Sequence, residues 1–288
     1  MLQNSIPLIA PVAARSETSL SVFLDQNRRC VLVDLSEARG STPRERGTFM
    51  LVAEASIWGT IGGGQFEYMA IDNARALLSG SGETRMDIPL GPEIGQCCGG
   101  WTRLTFTLVT PAVTEELRRR LRNAEQDQPA IFVFGAGHVG RALAHAVAPL
   151  PFSVTLVETR IEALQDLPGN VAHRLAAIPE AVVGDIPEGG AAIIMTHDHA
   201  LDFLIARQAL SRPELPYVGM IGSATKRATF AAWARREGMP ADAADRLVLP
   251  IGGSAVKDKR PAVIAAMVAA ELLTVLWGTR VKDRAAER

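Results

Sequence analysis

Three stretches of this chain combine residue types and spacings that suit ligand chemistry. The first is Gly135-Ala-Gly137-His-Val-Gly140. In such a turn the first glycine permits the tight bend, the second lets backbone approach a phosphate, and the third allows close helix packing. Glu158 follows at about the ~20-residue spacing of an acid that accepts ribose hydroxyls. A tight turn alone, with Glu158 as a solvated strand end beside Arg160, would use the same residues. The second stretch is Trp58-Gly-Thr-Ile-Gly62-Gly63-Gly64, whose successive N–H groups before a helix make an anion cradle. Glu67 sits in that helix's first turn, where an acid complements the dipole. Arg44, after Ser41-Thr-Pro43, is the nearest candidate cation in sequence, and a plain turn is the alternative. The third stretch, Gln96-Cys97-Cys98-Gly-Gly100, puts two thiols in a glycine-flanked loop, where a vicinal disulfide would be strained. Exposed, they are soft ligands for a metal or a sulfur-bearing cofactor, or a site that accepts or senses sulfur. Buried, one of them is a small hydrophobe. Cys98, next to Gly99, is the metal candidate, and Cys30 belongs to an apolar strand.

Two further segments fall where parallel strands should end. In Thr196-His-Asp-His199, the residues His197, His199 and Asp202 have the types for a metal, whereas Asp198 suits the N-cap of a following helix. In Ile221-Gly-Ser-Ala-Thr-Lys-Arg227, Ser223 suits a cap, and Lys226 and Arg227 then lie in a first turn. Cations there oppose the helix dipole and call for an anion or an acidic partner.

These residues need rigid elements to hold them. Apolar runs at 130–134, 153–158, 191–196 and 217–221 alternate with helical patterns at 139–148, 201–210 and 224–237, and a short segment falls near Val171. Such alternation predicts a parallel Rossmann-like sheet covered on both faces. Upstream, the strand at 30–35, a return at 48–52, a helix from the glycine loop to about Gly80 and a strand at 103–109 predict a smaller mixed α/β domain. The expected organisation is an N-terminal domain over 1–112, a charged linker helix over 113–128, the Rossmann-like domain over 129–250, and a C-terminal helix over 251–288 packing on the core.

At 288 residues and 48% hydrophobic composition, two cores are available. The 30 basic and 31 acidic residues nearly cancel, so no global field draws nucleic acid or an anionic membrane, and any anion site is local. Residues 1–10 lack the basic start of a secretory signal. The apolar run 262–270 stops at Glu271, short of a bilayer span. Three cysteines do not make a secreted disulfide framework. The expected location is the cytoplasm.

Taken in order, Gly40-Ser-Thr-Pro-Arg44, Gly59-Thr-Ile-Gly-Gly-Gly64 with Glu67, Cys98-Gly-Gly100, Phe134-Gly-Ala-Gly-His-Val-Gly140, Met195-Thr-His-Asp-His-Ala200 and Tyr217-Val-Gly-Met-Ile-Gly-Ser223 resemble the XdhC/CoxI family over nearly the whole chain. Proteins of that family are accessory factors for xanthine dehydrogenase and related molybdenum hydroxylases. The resemblance implies a protein that binds molybdopterin, the molybdenum cofactor, shields it and helps deliver it to apo xanthine dehydrogenase. It also implies a cysteine desulfurase as co-worker in sulfuration, and a homodimer is compatible with it. The chain departs from the family where many relatives carry cysteine at the position of Gln65, and across 252–261. Two other functions use the same residues: an NAD(P)-dependent oxidoreductase built on the Gly135 turn and Glu158, and a sulfur-handling enzyme acting through Cys97 or Cys98. No nucleophile, base and orienting group stands out to complete a catalytic set.

Overall fold

The computed structural model describes residues 16–92, 99–253 and 255–286, which leaves Cys97 and Cys98 outside the described residues. The chain divides into two compact units, Met1–Gln126 and Asp127–Arg288.

The first unit is an antiparallel sheet of five strands in the order β3-β2-β1-β5-β4. They are β1 (Cys30–Arg39), β2 (Phe49–Ala53), β3 (Ile57–Gly59), β4 (Arg85–Pro89) and β5 (Trp101–Leu108). The two-residue period of β1 sorts its side chains. Val31, Val33 and Leu35 join Phe66, Ala70 and Ala74 of helix α2 (Gly64–Leu78) in one buried cluster. Leu32 and Cys30 face the other side, where they meet Leu20 and Phe23 of α1 (Glu17–Gln26) and Leu117 and Leu121 of α3 (Pro111–Gln126). The expected linker helix is therefore a layer of the first unit: its charged face is solvated, and its leucines four apart cover the sheet. Arg120 of α3 also reaches Asp34 of β1, 2.5 Å away.

The second unit is a six-stranded sheet ordered β11-β10-β9-β6-β7-β8, in which every neighbouring pair is parallel. Its strands are β6 (Ala130–Phe134), β7 (Ser153–Glu158), β8 (Ala172–Leu175), β9 (Ala191–Ile194), β10 (Tyr217–Met220) and β11 (Leu247–Val248). Strand order reverses between β6 and β9, and the crevice at such a switch point is where ligands of these sheets bind. Ile131 and Val133 point to a layer of α4 (His138–Val147) and α8 (Pro261–Ala286), whereas Phe132 and Phe134 point to α5 (His199–Leu210) and α6 (Ala224–Arg236). A short helix, α7 (Ala241–Asp245), precedes β11.

Helix α8 does not stop at Glu271. By length and composition its residues Pro261–Gly278 are apolar enough to cross a membrane, so the apolar stretch does not end at Glu271, short of a bilayer span, although the C-terminal helix lies where it was expected. The helix continues because Glu271 is turned inward and given partners. Its Oε2 accepts from the Tyr217 hydroxyl at 2.9 Å and from the Gly252 N–H at 2.8 Å. Ala265, Val268, Leu272 and Leu276 then bury against the sheet layer shared with α4.

Candidate functional site

The glycine loop of the first unit is closed by its own chain. Ile61, wholly buried in the α2 cluster, anchors the loop, and Gly62 and Gly63 adopt φ of 142° and 83°, which glycine tolerates. The N–H groups of Ile61, Gly62 and Gly63 converge on one atom, Oε2 of Glu67, at 2.9, 3.3 and 3.1 Å. The Thr60 hydroxyl donates to the same oxygen. The cradle foreseen for an external anion thus holds the Glu67 carboxylate, and Glu67 is more than a partner of the helix dipole. Close packing accounts for Gly62, since a Cβ there would lie 2.8 Å from Cγ of Pro43. Arg44 sits beside the loop by its stem, is exposed, and pairs with no carboxylate among the described residues. Gly99 and Gly100, which follow Cys98 in sequence, are also placed: a Cβ at Gly100 would lie 2.1 Å from the Ser41 carbonyl oxygen. The metal role foreseen for Cys98 lies outside the described residues, and among those residues no cluster of histidine, cysteine and carboxylate could hold a metal.

The glycine turn of the second unit is different. Gly135, at φ 109°, has its Cβ position 2.5 Å from the Met195 carbonyl oxygen, and that of Gly140 is 1.9 Å from the Gly135 carbonyl oxygen. Chain packing alone forces both to be glycine. Gly137 is not so forced. Its φ of −67° is open to any residue, nothing lies within 4 Å of its Cβ position, and as N-cap of α4 it provides no side-chain cap. A serine or aspartate would stabilise the helix there. What the bare position leaves is backbone N–H groups and dipole facing open space, an arrangement that receives phosphate.

Glu158, 4% exposed at the end of β7, lines the narrow cleft beside this turn together with Gly135, Thr159, Pro179, Thr196 and His197. Its Oε2 accepts from the Ala136 N–H at 2.8 Å, and Oε1 accepts from the N–H groups of Thr159 and Arg160 at 2.8 and 3.2 Å. Burial by itself would push the carboxyl up. The Arg160 guanidinium and the N–H groups of Ala136 and Thr159 more than offset that and hold it at about 2, so it is an anion at neutral pH.

At the ends of β9 and β10 the structure supplies the acidic partner that Lys226 calls for. Asp202, with no exposed surface, takes the Lys226 ammonium on Oδ2 and the Thr196 N–H and hydroxyl on Oδ1, at 3.0 and 2.7 Å. Lys226 also donates to the Ile221 carbonyl at 3.0 Å, and Arg227 donates to the carbonyls of Leu247 and Leu249. Asp202 is therefore committed and not a free metal ligand. Asp198 caps α5 by accepting from Ala200 N–H at 2.7 Å, and Ser223 caps α6 by accepting from Lys226 N–H at 3.3 Å. His197 lines the cleft beside Glu158, whereas His199 and Ser223 border a separate groove of about 550 Å³ between α5 and α6, floored by Phe203 and Trp233. Of the second-unit residues singled out from sequence, Gly135, Glu158 and His197 line one narrow cleft, with Gly137 exposed on the same turn and Gly140 buried against Gly135.

Residue types along the chain put Arg160 beside Glu158 but did not disclose Thr60, Thr159 or the Asp202–Lys226 pair as partners in these sites. Only the first-turn position of Lys226 signalled a missing acid.

A family model described as the XdhC Rossmann domain matches residues 131–272, and one described as the XdhC and CoxI family matches residues 23–88. The chain belongs to the XdhC/CoxI family. Among curated proteins it is 27% identical to YqeB of Escherichia coli (strain K12), a protein described as uncharacterized, over 90% of this chain. It spans about half the length of that relative, covering 46% of it. A solved structure from Bacillus halodurans, described as a xanthine dehydrogenase, is similar with a TM-score of 0.75 and 16% identity over 92% of this chain and 96% of that one. At that identity the likeness carries the fold alone. In this XdhC/CoxI chain the Rossmann-domain match contains the whole Gly135 turn, Glu158 and the Asp202–Lys226 clamp.

Proposed function

We propose that this XdhC/CoxI chain is a carrier: it holds the molybdenum cofactor, keeps it from water, and hands it to apo xanthine dehydrogenase, with a cysteine desulfurase supplying sulfur. The observation that carries this is Gly137. The chain's own packing requires Gly135 and Gly140 but gives no steric reason for a glycine between them, whereas close approach of a ligand phosphate does. The cofactor is cargo, with a phosphate tail, a polar pterin and a dithiolene-bound metal. The crevice suits the phosphate end. Cys97 and Cys98 are the residues suited to meet the metal or its sulfur. In this reading the chain acts by binding and release, in the cytoplasm.

The test is to purify the protein from a molybdopterin-producing host and assay bound molybdenum and pterin. Near-stoichiometric pterin in the parent chain, lost in Gly137→Ala with unchanged thermal unfolding, is the expected result. Absence of pterin and molybdenum from the parent chain defeats the proposal. Cys98→Ala separates the thiol role: it should retain pterin but deliver less active, sulfurated cofactor to apo xanthine dehydrogenase.

A further inference from the structure

The groove between α5 and α6 is a second cavity, distinct from the Gly135 cleft, and its volume of about 550 Å³ falls in the range of small-molecule sites. Its floor is aromatic. The rings of Phe203 and Trp233 lie 5.4 Å apart between centroids, and Phe230, buried behind them, approaches the two at 5.2 and 5.8 Å. Three rings in mutual contact hold the half-buried Trp233 in place, so the floor is preorganised for stacking.

The rim is polar. His199 and the hydroxyls of Ser223, Thr225 and Thr229 border the groove. The Thr229 hydroxyl donates to the Thr225 carbonyl at 3.0 Å, whereas the Ser223 oxygen accepts from the Lys226 N–H at 3.3 Å, which leaves its own O–H to donate. The Thr225 hydroxyl and the His199 ring make no hydrogen bond among the described residues.

Charge narrows the choice of occupant. Lys226 is the one lysine or arginine bordering the groove, and its ammonium is taken by Asp202 and the Ile221 carbonyl; no carboxylate borders it. A phosphate therefore finds no free lysine or arginine there, and a cation finds no counter-ion. An aliphatic side chain or the apolar face of a helix would cover the floor but strip water from the rim without replacing its hydrogen bonds. A neutral fused nitrogen heterocycle meets both demands, stacking by its faces and offering ring nitrogens, amino and oxo groups at its edge.

We infer that the α5–α6 groove seats the pterin ring of the cargo, an assignment that rests on the carrier proposal. The Thr196-His-Asp-His199 loop joins the two places. His197 lines the Gly135 cleft and His199, two residues on, borders the groove, so their Cα atoms are at most about 7 Å apart. A cofactor with its phosphate at Gly137 crosses that one loop to bring its ring over Phe203 and Trp233.

Titration of the full, pterin-free chain with 6-hydroxymethylpterin, followed by energy transfer from tryptophan to the pterin and by calorimetry, tests the groove. Saturable binding is expected. Trp233→Leu should weaken it about tenfold, the size of one lost stacking contact. Thr225→Val, at an exposed position, should weaken it about threefold through one lost hydrogen bond. Hypoxanthine, a smaller fused ring without the amino group, should bind at least about tenfold more weakly. No saturable pterin binding, hypoxanthine bound as tightly, or pterin affinity unmoved by the two variants overturns the inference. Should Trp233→Leu unfold, Thr225→Val decides alone. The two proposals fail separately. Pterin retained in full by both variants when they are purified from a molybdopterin-producing host overturns the groove and leaves the carrier standing. A parent chain that leaves that host without pterin, yet binds the free probe through Trp233, defeats the carrier proposal and supports the groove as a pterin site.

Discussion

Both units carry a glycine loop that runs into a helix, and in both a glutamate reaches the loop, but the two pairs are built for different ends. In the first unit Glu67 comes from inside the helix and gathers three loop N–H groups and a hydroxyl onto one oxygen. In the second, Glu158 comes from the neighbouring strand, takes only the Ala136 N–H from the glycine turn, and spends its other oxygen on Thr159 and Arg160. The first arrangement saturates the loop. The second leaves the mouth of α4 open and adds an anchored anion beside it. A run of glycines before a helix therefore marks a place where something approaches the backbone, and the approaching group can be the protein's own carboxylate.

The comparison can be broken by mutation, and the largest effect is expected away from both glycine loops. Lys226→Met leaves Asp202 buried and charged without its ammonium partner, and should lose about 3–5 kcal/mol in urea unfolding. An equal loss in Asp202→Asn/Lys226→Met would show that the charge itself is not the cause. Next comes Glu67→Ala, which strips the shared acceptor from three N–H groups; about 2–3 kcal/mol should be lost, with Glu67→Gln losing less. A loss under ~0.5 kcal/mol would mean that water or an outside anion takes over the cradle.

Smaller effects sharpen the contrast between the glycines. Gly62→Ala meets Pro43 and a φ of 142°, so about 1–2 kcal/mol should be lost. Gly137→Ala meets nothing and should stay within about 0.5 kcal/mol of the parent, although it occupies the space proposed for phosphate. Comparable thermal shifts for the two variants would remove the distinction between a closed loop and an open one. The smallest effect is in acid. Glu158 is held at about 2, below its ordinary value of 4.5. Its contribution to stability is therefore complete above pH 4.5 and is lost as pH falls from 4.5 through about 2. Glu158→Gln should flatten that part of the stability curve, measured by chemical unfolding between pH 2 and 6, and leave the slope set by other carboxylates.

Much of the second unit was legible in the residues. Continuous apolar runs such as 130–134 and 191–194 mark strands buried on both faces, and the glycine spacing at Gly135 to Gly140 marks the first crossover. The first unit was harder. Strand β3 has only three residues, too few for a period, and β4 is mostly exposed. Helix α3 looks like a linker by composition, because only Leu117 and Leu121 are buried in sixteen residues of mostly charged helix. Glu271 interrupts an apolar run in sequence, yet in space it fastens α8 to Tyr217.

The residue order alone determined where backbone must bend tightly and which segments alternate as strand and helix, because those depend on local stereochemistry and hydrophobic period. It also determined the family, through motifs spread along the chain. Only the tertiary structure decided what each glycine faces. Glu67 and Glu158 are the same side chain near similar loops, and what separates them is the direction from which each arrives. From within α2 the carboxylate meets three converging N–H groups and closes the loop. From the end of β7 it meets one, and the helix beyond Gly137 remains free for a ligand.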